Sequence, residues 1–150
     1  MFAKAMFNIC RRMMGDEDEA KDTLQEAFIE AFSKLEKLQD EMVFPAWLKR
    51  IVVNKCINAL RKKKDIYTDL NSDLPILEQT EGDDDYTRFK AEKVMNAIDQ
   101  ISEGCKVVTN LYLFEGYDHK EIASILSISE SASKAQYSKA KSKIRKILNG

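Results

Sequence analysis

Seven basic side chains fall between Pro45 and Lys64 with no acid among them: Lys49, Arg50, Lys55, Arg61, Lys62, Lys63 and Lys64. Six more fall between Ser131 and Gly150, again without an acid: Lys134, Lys139, Lys141, Lys143, Arg145 and Lys146. Clusters of this kind neutralise phosphate. Amides interleaved with them, here Asn54, Asn58 and Gln136, can hydrogen-bond to base edges. Little else in the chain offers chemistry. His119 is the single histidine, which excludes a multi-histidine metal cluster. Cys10, Cys56 and Cys105 are odd in number, far apart and lack Cys-x-x-Cys spacing. They read as small buried hydrophobes, not as a disulfide framework or a metal site. Asp83, Asp84 and Asp85 are consecutive, but no second carboxylate cluster supports them, and they read as a solvated acidic run. The expectation is a non-enzyme with no catalytic residues, no metal and no cofactor.

The net charge of −1 over 150 residues hides a segregation of charge. Residues 16–41 hold ten acids against three bases, and residues 65–92 hold nine against two. The order along the chain is acidic, basic, acidic, basic. Two basic helices could each meet phosphate, and an acidic surface could meet a basic protein partner. Hydrophobic residues make up 44%, enough for a packed core, while 33% charged residues with 5 Gly and 2 Pro favour helices. No apolar run approaches the roughly 18 residues of a membrane span, and the start does not read as a signal peptide. A cytoplasmic protein without membrane insertion is expected.

Periodicity supplies the elements that must carry these residues. Residues 3–14 read as the end of a helix stopped near Gly15. Residues 16–38 read as an amphipathic helix with the stripe Ala20, Leu24, Ala27, Phe28, Ala31, Leu35 and Leu38, at steps of three and four. Its acidic first turns suit the helix dipole. Ile29 and Phe32 lie off that stripe. After a short connection, Pro45 opens a helix to about residue 64. Its apolar side is Trp47, Leu48, Ile51, Val52, Cys56, Ile57 and Leu60; its polar stripe is Arg50, Asn54, Asn58, Arg61 and Lys62. Trp47 reads as core packing and not as a platform for a base.

Residues 65–87 lose the helical period and contain Pro75 and Gly82, which reads as a flexible acidic linker. Residues 88–101 restore the period through Ala91, Val94, Met95, Ile98 and Ile101. Ser102 can cap a following helix that runs through Phe114 and ends at Gly116. Asp118 and Glu121 have capping-box spacing. A tight turn, Ser127-Ile128-Ser129, then leads into a basic helix to about residue 148. Short helix, turn and longer helix make a helix-turn-helix pattern. Ala123 is small where the helices cross, Ile128 can plug the core, and Ser129 can cap the second helix. Ser131, Ser133, Lys134, Gln136 and Tyr137 near its start are expected to face a major groove, with Lys134 and Lys141 on phosphate. A plain three-helix bundle with a basic surface is the alternative for this segment. The fold expected is all-α. Two small helical domains, a three-helix bundle over residues 1–64 and a four-helix helix-turn-helix domain over 88–150, are joined by the linker 65–87.

Two stretches resemble a known family. Asp16, Ala20-Lys-Asp-Thr-Leu-Gln-Glu-Ala-Phe28, Phe44-Pro-Ala-Trp-Leu-Lys-Arg-Ile-Val-Val-Asn54, Asn58 and Leu60-Arg-Lys62 are similar to region two of extracytoplasmic-function sigma factors, in the sigma-70 family of RNA polymerase. Leu111-Tyr-Leu-Phe-Glu-Gly-Tyr-Asp-His-Lys-Glu-Ile-Ala123, Leu126-Ser-Ile-Ser129, Lys134 and Lys139-Ala-Lys141 are similar to region four. The resemblance implies a transcription initiation factor whose partners are core RNA polymerase, promoter DNA and an anti-sigma factor. Asp22, Gln25, Glu26 and Phe28 would dock on the clamp helices of the β′ subunit, although Phe28 also lies on the apolar stripe; Ile29 and Phe32, off that stripe, would suit the same partner surface, and the β flap would be a second contact. Arg50, Asn54, Asn58, Arg61 and Lys62 would face the minus-ten element, and residues 39–43 would form the loop that captures flipped bases, with Asp40 and Glu41 as pocket candidates. The helix-turn-helix would read the minus-35 element.

The chain departs from the family at several points. It opens in the middle of the first region-two helix. Ser127 stands where the turn usually has Gly, Ala132 where Thr is common, and Ser102 where Pro is usual. Three rivals remain at this point: a stand-alone DNA-binding regulator, a carboxylate-metal phosphoesterase built on Asp83 to Asp85, and a helical adaptor.

Overall fold

A computed structural model describes residues 2–63, 70 and 90–150. Every regular element among them is helical, and they fall into two compact units, one within Met1–Asp65 and one within Ile66–Gly150. The expected linker 65–87, with Asp83 to Asp85, lies outside the described residues apart from Leu70. Leu70 departs from the linker reading: it is 2% exposed, and its carbonyl accepts a hydrogen bond inside the second unit.

The first unit is a bundle of three mutually packed helices, α1 (Phe2–Met14), α2 (Glu17–Lys34) and α3 (Phe44–Lys63). Gly15 ends α1 with φ +76°, and its N–H returns to the Arg11 carbonyl at 3.1 Å. Asp16 then caps α2 by accepting from the Asp18 N–H at 3.0 Å. α1 buries Met6, Ile9, Cys10 and Met13. α2 buries only small side chains, Ala20, Thr23, Ala27 and Ala31. Small residues let the neighbouring helices approach closely, so the larger members of the expected stripe stay outside or at the edge. Leu24, Phe28 and Leu38 are half-buried, and Leu35 is exposed in a 3-10 turn, Leu35–Lys37, that replaces the expected end of the helix. α3 carries Pro45 in its first turn, where no N–H is needed. It buries Leu48, Ile51, Val52, Val53, Cys56, Ile57 and Leu60. At about 1.5–3 kcal/mol for each large aliphatic side chain, this face dominates the bundle's stability.

The second unit comprises α4 (Ala91–Asp99), α5 (Glu103–Thr109), a π-helical turn (Asn110–Phe114), α6 (His119–Leu126) and α7 (Glu130–Asn149). α7 packs against the other three helices. One core cluster joins Val94, Ala97, Ile98, Ile101, Cys105, Ala140 and Ile144. Ser102 occupies the N-cap position of α5, but its side chain makes no capping hydrogen bond. The caps of the helix-turn-helix do form. Glu121 N–H donates to Asp118 at 2.8 Å, Asp118 N–H donates to Glu121 at 3.1 Å, and Ala132 N–H donates to Ser129 Oγ at 3.0 Å. Ser127 takes φ 57° and ψ 46°, the left-handed conformation for which Gly is usual.

Candidate nucleic-acid interface

α3 buries one side in the bundle and turns the other to solvent. Asn54, Asn58, Arg61 and Lys62 are exposed or partly exposed at its surface, and Arg50 is half-buried. Their spacing of four, four, three and one keeps them on a single helical face. The sequence-predicted stripe is therefore brought together as one surface. Lys55 is turned elsewhere: its ammonium lies 3.9 Å from Glu30 of α2, which also binds Lys34 at 2.9 Å. At the start of α3 a 3-10 turn, Glu41–Val43, leaves Met42 87% exposed. Asp40 holds that turn by accepting from the Met42 N–H at 2.9 Å, and Phe44 anchors it between Phe2 and Trp47, with ring centroids 5.5 and 5.8 Å away. Trp47 is half-buried against Phe44. Sequence reasoning named Asp40 and Glu41 in this segment and missed Met42. The signal was a large apolar side chain directly after Asp40 and Glu41, in the connection between two helices.

A second surface lies on α2. Asp22, Gln25, Glu26, Ile29 and Phe32 are all exposed, at spacings that keep them on one face. Ile29 is 64% and Phe32 74% exposed, although both are large and apolar. An acidic and amide rim beside exposed apolar side chains has the composition of a protein-docking patch.

The helix-turn-helix divides the six residues expected to meet DNA. Ser131 and Lys134 are exposed and Lys141 is half-buried. Ser133, Gln136 and Tyr137 are buried, which corrects their placement on an outward face. Ser133 Oγ pairs with His119 Nδ1 at 2.8 Å. Gln136 is 2% exposed; it accepts from the Cys105 thiol at 3.1 Å and donates to the Leu70 carbonyl at 3.1 Å. Tyr137 packs on Tyr112, with centroids 4.5 Å apart. The Lys141 ammonium sits 5.0 Å above the Tyr137 ring, and Lys134 pairs with Glu130 at 3.4 Å. Polar side chains enter a core when partners satisfy them; those of Ser133 and Gln136 come from distant parts of the sequence, while Tyr137 enters as a ring packed against Tyr112 and His119. The outward face of α7 instead runs from Ser131 and Lys134 to half-buried Ala135 and Ser138. Sequence reasoning missed Ala135 and Ser138, which steps of four and seven from Ser131 would have found.

His119 organises the inner side of this motif. Its ring stacks on Tyr112 with centroids 4.7 Å apart. Burial first, and then the Lys134 ammonium, holds its pKa below the ordinary 6.5. Neutral imidazole is therefore favoured beside Ser133. No group of three or more His, Cys, Asp or Glu side chains among the described residues is placed to hold a metal ion. No described helix is long and apolar enough to cross a membrane.

Two family models match the chain in order, sigma-70 region 2 over residues 1–66 and sigma-70 region 4 over residues 91–144. The chain is similar to the extracytoplasmic-function RNA polymerase sigma factor SigW of Bacillus subtilis, at 29% identity over 99% of this chain and 85% of that protein. It is also similar to the RNA polymerase sigma-H factor of Pseudomonas aeruginosa, at 26% identity over 91% of this chain and 77% of that protein. Among solved structures, the sigma factor RpoE in complex with the anti-sigma factor NepR from Bartonella quintana shares the fold, with a TM-score of 0.65 and 18% identity over 98% of this chain and 91% of that one. With both regions matched on the two helical units described above, the chain belongs to the sigma-70 family, as an extracytoplasmic-function sigma factor that directs RNA polymerase to promoters.

Proposed function

We propose that the chain divides promoter recognition between two domains, residues 1–64 at the minus-ten element and residues 88–150 at the minus-35 element, with 65–87 between them. The observation that carries this reading is the pairing of two different surfaces on one bundle. The face of α2 that exposes Ile29 and Phe32 among Asp22, Gln25 and Glu26 fits a basic and apolar protein surface, the clamp helices of the β′ subunit. The stripe Arg50, Asn54, Asn58, Arg61 and Lys62 on α3 fits DNA, with the basic groups on phosphate and the amides on bases. The exposed Met42 turn is suited to meet a base extruded during strand opening, a displacement that costs a few kcal/mol. In the second unit Ser131, Lys134 and Ser138 take the groove-facing role, and the β flap is the expected polymerase contact. Polymerase performs the chemistry in the cytoplasm, and the chain itself is no enzyme. An anti-sigma factor, as seen bound to RpoE from Bartonella quintana, is the expected regulator.

Two short basic helices on a nearly neutral chain offer few phosphate contacts, so affinity for naked DNA should be low. The test is a fluorescence titration against sigma-free core RNA polymerase, with the Gln25→Ala/Phe32→Ala variant as control. Nanomolar binding that the variant weakens supports the docking face. A folded chain that ignores polymerase but binds duplex DNA tightly would favour a stand-alone regulator.

A further inference from the structure

Cys10 and Cys56 stand 46 residues apart on different helices, and their sulfurs meet at 3.7 Å. Cys10 lies on the buried face of α1 with Met6, Ile9 and Met13. Cys56 lies on the buried face of α3 beside Val52, Val53, Ile57 and Leu60. Both are fully enclosed in the first unit, while Cys105 is in the second. As separate residues they are small apolar fillers. As a facing pair they hold the two thiols of a disulfide, whose sulfurs need to close to about 2.05 Å.

We infer that Cys10 and Cys56 form an oxidisable dithiol, a modification site at which a peroxide joins α1 to α3 through a sulfur–sulfur bond. One sulfur attacks the peroxide oxygen, breaks the O–O bond and becomes a sulfenic acid with release of water. The second sulfur attacks the sulfenic sulfur, the S–S bond forms, and a second water leaves. The two thiols are oxidised, hydrogen peroxide is reduced to two waters, and both thiol protons end in water. Neither sulfur reaches solvent in the folded bundle, so the reaction passes through local opening of the bundle. The closed loop contains the whole of α2 and the first part of α3. Oxidation therefore ties α1 to α3, the helix that carries Asn54, and closes a covalent loop around α2, the helix that carries Ile29 and Phe32. Where thiol buffers keep a compartment reduced, such a bond forms transiently under oxidant. The inference rests on the packing of the bundle and is independent of any DNA or polymerase binding.

The experiment treats the folded full chain with hydrogen peroxide, alkylates remaining thiols under denaturing conditions, and reads the digest by mass spectrometry. The expected result is one linked pair, the Cys10 peptide joined to the Cys56 peptide, lighter than their sum by two hydrogens and released by a reductant. Cys105 should be recovered alkylated. The oxidised chain should also show a thermal midpoint for the first unit raised by roughly 10 °C, a rise that Cys10→Ala and Cys56→Ala each abolish. Recovery of all three cysteines alkylated would overturn the inference. So would a mixture of links that includes Cys105, because mixed pairing marks oxidation of an unfolded chain, and so would over-oxidised sulfurs without a link.

Discussion

The side-chain amide of Gln136 donates to the backbone carbonyl of Leu70 at 3.1 Å, across 66 residues of sequence. The same side chain accepts from the Cys105 thiol at 3.1 Å. A residue on the helix expected to read DNA thus engages both ends of its amide inside its own domain. Gln136→Ala should destabilise the second unit by about 1–3 kcal/mol, the cost of withdrawing a partner from a buried carbonyl. Urea unfolding of the full chain measures this. Promoter preference in transcription should be unchanged where the variant is folded. A variant that keeps its stability and loses promoter discrimination would return Gln136 to the DNA face.

His119 lies between Tyr112, Tyr137 and Ser133, and its proton is disfavoured by burial first, then by Lys134, with a smaller like-signed effect from Lys141; Glu130 and Asp118 act the other way. The folded pKa lies below the unfolded 6.5. Between those two values the unfolded chain binds more protons, so acid favours unfolding. The neutral ring's contribution is complete above about pH 6.5 and is lost as pH falls through the folded value. Unfolding midpoints of the second unit should therefore fall on acidification, and His119→Gln should flatten that part of the profile. A slope that survives in His119→Gln belongs to carboxylates and not to this ring.

Ser127 closes a tight turn with a left-handed backbone, φ 57°. A side chain there costs roughly 1–2 kcal/mol, while Gly costs more entropy on folding. The balance predicts that Ser127→Gly stabilises the second unit by about 0.5–1 kcal/mol, a thermal shift of a few degrees. Calorimetry decides it. No gain would mean that the Ser127 side chain contributes hydrogen bonding that offsets the strain.

The caps at Asp118 and Ser129 were legible in the sequence because each hydrogen bond spans three residues. The polar stripe of α3 was legible for a related reason: helical period alone puts Asn54, Asn58 and Arg61 on one face. On α2 the docking set came from the family resemblance, and the apolar stripe read from the period is buried only at Ala20, Ala27 and Ala31. The burial of Ser133, Gln136 and Tyr137 was not legible. A hydroxyl or an amide near the start of a basic helix looks like a reader of DNA until its partners are known. For Ser133 the partner is His119, 14 residues away; for Gln136 the partners are Cys105 and Leu70, 31 and 66 residues away. The meeting of Cys10 and Cys56 was hidden in the same way. Its residues obey the helical period individually, and only the packing of α1 on α3 brings the sulfurs together.

Arg61 and Asn54 share the outward side of α3, and their chemistry separates two jobs that DNA binding combines. A guanidinium on a phosphate releases counterions and is blind to sequence. Arg61→Ala or Lys62→Ala should weaken polymerase-dependent binding to all promoters alike and lower the slope of log affinity against log salt by about 0.7–0.9 for each phosphate no longer neutralised. An amide on a base edge does the reverse. Asn54→Ala should leave the salt slope unchanged and narrow the preference among minus-ten variants, by about 1–3 kcal/mol for one base no longer read. Binding of the polymerase complex to a panel of minus-ten sequences at several salt concentrations reads both quantities at once. If Asn54→Ala leaves both the slope and the preference intact, the stripe only holds the backbone. Base choice would then pass to the exposed Met42 turn at the head of the same helix, where Met42→Ala becomes the variant that changes it.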